Sequence, residues 1–159
     1  MAKIAIVAFS FGGSGNPEFR ECKPGPANIA LGEIVDAFRL QSPKKEIVIQ
    51  DYLKWCVHGA DLVIMKHREP GKFLGSEEVA DQAAEYLKER GVTRVILVAH
   101  HFLHWRKCKK LLEVHGFLVE VAKTGRVPFD PNSDGWWVHG PLHLLWYAVR
   151  QKLAGISGR

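Results

Sequence analysis

Apolar residues in this chain fall into short unbroken runs that alternate with longer stretches in which they recur every three or four positions. Residues 4–9, IAIVAF, are apolar throughout. Such a run predicts a strand covered on both faces, as in a parallel sheet, and residues 3–9 are the first strand expected. Ala27, Ala30, Leu31, Ile34, Val35 and Phe38 then keep helical spacing. They predict a helix that opens at Pro26 and ends at Ser42 and Pro43. Residues 46–50 and 62–66 read as two further strands, with 51–60 unassigned between them. Val79, Ala80, Ala83, Ala84 and Leu87 form the stripe of a second helix. Ser76 is its expected cap, Glu77 and Glu78 suit its first turn, and Gly91 stops it. A strand at 94–99, a helix at 105–115 and a strand at 117–122 follow. After a connection at 123–138, Gly140 and Pro141 open a last helix, which carries Leu142, Leu145, Trp146, Val149 and Leu153 on one face.

Strands alternating with helices predict right-handed crossovers and a mostly parallel sheet of about five strands. The expected fold is a three-layer α/β sandwich, a single domain over residues 1–159. At 159 residues the chain can bury one sizeable core, and 47% apolar content excludes a disordered protein. The net charge of +5 favours anionic partners. Three cysteines with no Cys-x-x-Cys spacing argue against a disulfide scaffold or zinc ribbon and for a reducing, cytoplasmic home. The apolar run 4–9 is too short for a membrane span, so a buried strand is expected there rather than an anchor or signal peptide.

Candidate chemistry gathers in two places. The loop FSFGGSGNPEFR lies between a strand and a helix, where backbone amides and the helix dipole suit a phosphate. Gly12, Gly13, Ser14 and Gly15 are its candidate ligand contacts, with Arg20 and Asn28 as accessory ones. The spacing matches neither the dinucleotide fingerprint nor the Walker A pattern, and glycines that serve turns alone are the alternative. The second place is 94–116, RVILVAHHFLHWRKCKKLLEVHG, where a strand ends in histidines and becomes a basic helix. His100 and His101 are candidate acid–base groups, and because neighbours on a strand face opposite ways only one is expected to meet a ligand. His104 shares a helix face with Cys108, Leu111, Leu112 and His115, so burial and catalysis both stand for it. Arg106 can hold a carboxylate or phosphate, or simply extend a basic face. Histidine pairs at i, i+4 (100 with 104, 139 with 143) raise a metal, but no carboxylate completes a set and a metal is disfavoured. Nucleic acid is disfavoured too, since few aromatics interleave the basic run. Trp136 and Trp137 suit either a cover over the crevice or packing at a sheet edge or subunit contact.

The segment VILVAHHFLHWRKCKKLLEVHGFLVEV, with the order of elements around it, resembles the domain of unknown function 218 family, whose members include the ElyC, SanA and YdcF proteins. The resemblance spans most of the chain. Gly12 and Gly13 resemble the family's glycine turn, Ser76 with Glu77 its middle helix start, and residues 97–106 its strand that runs into histidine and arginine. Leu103 stands at the family's histidine and Val79 at its middle asparagine. The resemblance implies a Rossmann-like fold, a site at the carboxyl ends of the strands, and roles in the bacterial cell envelope. It also raises S-adenosylmethionine as a ligand, adds Ser76 and Glu77 to the candidate ligand contacts, and points to a cytosolic, YdcF-like member without an anchor. The leading expectation is an enzyme acting on an anionic, nucleotide-like or phosphorylated small molecule. The alternative is a non-catalytic module that binds such a ligand. Substrate, reaction and oligomeric state stay open.

Overall fold

A computed structural model describes residues 2–155 of the chain. Five strands, β1 (Lys3–Ala8), β2 (Glu46–Gln50), β3 (Leu62–Ile64), β4 (Val92–Val98) and β5 (Leu118–Val121), form one sheet in the order β3-β2-β1-β4-β5. Every pairing is parallel. The helices are α1 (Gly25–Gln41), α2 (Ser76–Glu89), α3 (His104–Val114) and α4 (Pro141–Leu153). Alternate residues of β1 serve the two faces. Ala5 and Val7 join a core with α2 and α3, whereas Ile6 and Ala8 join one with Leu31 and Val35 of α1. These are the two apolar layers of a Rossmann-like three-layer fold, and β1 is continuous apolar sequence because it borders both.

The elements differ from the sequence expectation where the ladder or the packing decides. β3 stops at Ile64 because its partner Gln50 is the last residue of β2, which turns into a short 3-10 helix, Asp51–Trp55. Gly75, not Ser76, is the N-cap of α2, which leaves the Ser76 hydroxyl free for another partner. The stripe predicted on α4 faces solvent: Leu144 is the buried residue, and Tyr147 stacks on Trp137 with centroids 5.2 Å apart. α4 has two apolar faces, and Trp137, in a second 3-10 turn at Trp136–Val138, packs against the one the spacing did not single out. Among the described residues no helix is long and apolar enough to cross a membrane.

Candidate functional site

The strand order reverses between β1 and β4, so the loops leaving those strands border the crevice where ligands of this fold class bind. The loop after β1 is latched from within. Buried Asn28 on α1 accepts a hydrogen bond from the Phe11 amide at 2.8 Å and donates to the Pro24 carbonyl at 2.6 Å. Gly12 and Gly13 take positive φ, 84° and 106°, and a Cβ on Gly13 would lie 2.8 Å from the Tyr52 ring.

Two carboxylates from the connection between β5 and α4 occupy the loop's amides. Asp130 Oδ2 accepts from the Gly13 amide at 2.9 Å, and Asp134 Oδ2 accepts from the Gly15 amide at 2.8 Å. Asp130 is buried, and a Cβ on Gly25 would lie 2.1 Å from its Oδ2, so the glycines clasp this carboxylate. Ser133 Oγ donates to the Gly13 carbonyl at 2.9 Å. Asp51, at the end of β2, accepts from Ser10 Oγ at 2.7 Å, and burial raises its pKa against that bond. Burial, then the charges of Asp51, Asp134 and Asp130, push Tyr52 up to about 12. The amides expected to meet an anion thus meet the chain's own carboxylates. Ser14 is tied to Lys23 by a backbone bridge, and Arg20 sits on the exposed outer part of the loop.

The three histidines part company at the end of β4. His100 is fully buried and stacks on Phe11, 3.9 Å between centroids and 13° between planes. Its Nδ1 accepts from the Phe102 amide at 3.3 Å, so the neutral ring carries its proton on Nε2, which has no partner. Burial, aided by His101, lowers its pKa to about 4. His104 Nε2 lies 3.3 Å from Ser76 Oγ and 3.4 Å from Cys108 Sγ, and its buried Nδ1 is unpartnered. Burial, then His100 and Lys107, lower its pKa to about 3, and burial pushes the Cys108 thiol far up. The His100 ring is closed to solvent, and His104, partly exposed as a residue, has its Nδ1 buried. Glu77 pairs with Lys107 at 2.6 Å. His115 lies 2.8 Å from Asp81 at the edge of the core rather than within it.

His101 alone of the three lines a cleft. About 190 Å³ in volume, it lies beyond the carboxyl ends of β4 and β5 and is bounded by Ala99, His101, Trp105, Val121, Ala122, Thr124 and Gly125. The Val127 amide donates to His101 Nδ1 at 3.2 Å, so the neutral ring is the Nε2–H tautomer. Burial, then Arg126, lowers its pKa. The cleft has an aromatic wall and one imidazole; the Arg106 guanidinium lies 5.5 Å from the centre of the Trp105 ring, and Arg126 is near enough to His101 to act on its charge. Leu103, with φ 58°, is the one non-glycine at positive φ among the described residues, and its strained turn separates His101 from the start of α3. A larger hollow of about 300 Å³ lies at the opposite end of the sheet, between Arg39, Lys45 and Asp61, away from the strand ends where this fold binds ligands. Among the described residues no group of three or more His, Cys, Asp or Glu is placed to hold a metal ion.

The fold is that of a Rossmann-like α/β protein, with a cleft beyond the carboxyl ends of β4 and β5. No protein-family model and no curated protein matches the chain. Asp130, Asp134, Thr124 and Arg126 were not among the candidates from sequence. The run DPNSDG, rich in turn formers and acid, carried a signal for the first two, but their partners are more than a hundred residues away.

Proposed function

We propose that the protein is an enzyme that binds an anionic, nucleotide-like or phosphorylated small molecule in the cleft beside His101. The observation that carries this reading is the cleft itself, with an aromatic wall from Trp105 and an imidazole at His101, Arg106 lying against Trp105 and Arg126 acting on His101. An aromatic face suits a planar base, and guanidinium groups suit phosphate or carboxylate. The neutral His101 Nε2–H is set to donate a hydrogen bond to a developing negative charge, and does not serve as a base while Nδ1 is occupied by the Val127 amide. Membership of the domain of unknown function 218 family, with a cytoplasmic location, belongs to the same proposal; the segment at 95–121 supports it.

A second reading, a non-catalytic module for S-adenosylmethionine or another nucleotide, is favoured by one fact. Among the described residues that line the cleft, His101 is the only titratable side chain. A thermal-shift screen with nucleoside 5′-phosphates, sugar phosphates and S-adenosylmethionine, followed by phosphorus and proton NMR of each stabilising compound, separates the two. Turnover that His101→Ala abolishes while binding survives is the result expected for the enzyme. A tight ligand that is never converted selects the module. Binding unchanged in Trp105→Ala and in Arg126→Ala rejects both.

A further inference from the structure

α4 leaves an apolar stripe in solvent, and the stripe is ordered. At 100° per residue Leu142, Trp146, Val149 and Leu153 fall within about 60° of one another, on the side opposite Leu144 and Tyr147, which face the protein. Leu142 is 77% exposed, Trp146 58% and Leu153 81%. Exposed Arg150 and Lys152 flank the stripe, each about 80° from its centre. From Gly135 to the last residue the sequence holds no Asp or Glu.

We propose that α4 is an interfacial helix that lays this stripe on an anionic lipid surface, with Arg150 and Lys152 against the headgroups. An apolar face bordered by cations on both sides, with Trp at its middle, has the character of helices that lie in a bilayer interface. A second copy of the chain fits less well. The identical face brings Arg150 and Lys152 and no carboxylate from its own helix. The inference is independent of the cleft and of what it binds.

The test is co-sedimentation of the full chain with vesicles of phosphatidylcholine alone and of phosphatidylcholine mixed with phosphatidylglycerol. The wild type is expected to pellet with the mixed vesicles, weakly with the neutral ones, and less as salt rises. Arg150→Gln with Lys152→Gln lowers partition roughly thirtyfold. Leu142→Ser with Trp146→Ser abolishes it while circular dichroism and the unfolding midpoint stay near wild type, since both side chains are exposed. No pelleting with mixed vesicles, or pelleting unchanged in both double variants, overturns the proposal. A dimer by light scattering that the Leu142→Ser, Trp146→Ser variant dissociates overturns it as well, and makes the stripe an interface between copies.

Discussion

His100 and His101 are neighbours with opposite fates, because a strand end turns one inward against Phe11 and the other toward the cleft. Strand alternation does not make the split, because β4 ends at Val98 and both residues lie in the turn beyond it, their rings 4.6 Å apart. Which of the two faces inward was not legible in the sequence, since the decision rests on Phe11 and Phe129, residues brought from two distant loops. Burial has a measurable consequence. A histidine whose folded pKa lies below its unfolded value binds fewer protons when folded, so stability is complete above pH 6.5 and drains away as pH falls toward 4. For His100 the loss reaches about 3 kcal/mol near pH 4. His104 acts in the same direction, while Asp51, with its raised pKa, opposes them in more acid solution. Urea unfolding at a series of pH values checks this: His100→Asn, which keeps an acceptor for the Phe102 amide, should lower stability at pH 7.5 yet flatten the decline. A slope equal to that of the wild type contradicts the assignment.

Among the elements, the helices and strands were readable wherever one apolar stripe or one apolar run decided the matter. α4 was readable as a helix, but it has two apolar faces and only tertiary packing chooses which is buried. The connection from β5 to α4 was read as a loop with two tryptophans, but its chemistry lies earlier, in the buried Asp130. Local pattern carries no trace of a bond from Asp130 to Gly13 across 117 residues. Asp130→Ala should remove the partner of a buried amide and cost about 1–3 kcal/mol, with the exchange of the Gly13 amide speeding up in step. Asp130→Asn, which retains an acceptor, should cost less. Equal stability for Asp130→Ala and wild type in urea would mean that the connection does not hold the glycine loop.

For the whole molecule, the order β3-β2-β1-β4-β5 sets the switch point between β1 and β4, and Phe129 and Asp130 fill much of the space beyond it. The open volume is displaced toward β4 and β5, where His101, Trp105 and Thr124 meet. The class of fold was legible because alternation of runs and stripes leaves few other arrangements for the chain. The position of the cleft was not, because it depends on which loop fills the crevice. Amide NMR of the labelled protein, titrated with nucleoside 5′-phosphates, sugar phosphates and S-adenosylmethionine, tests the central claim directly. The shifts expected lie at 99–106 and 121–127, with the glycine loop at 12–15 little changed. Shifts centred on 12–25, or none with any of these compounds, would contradict a site beside His101.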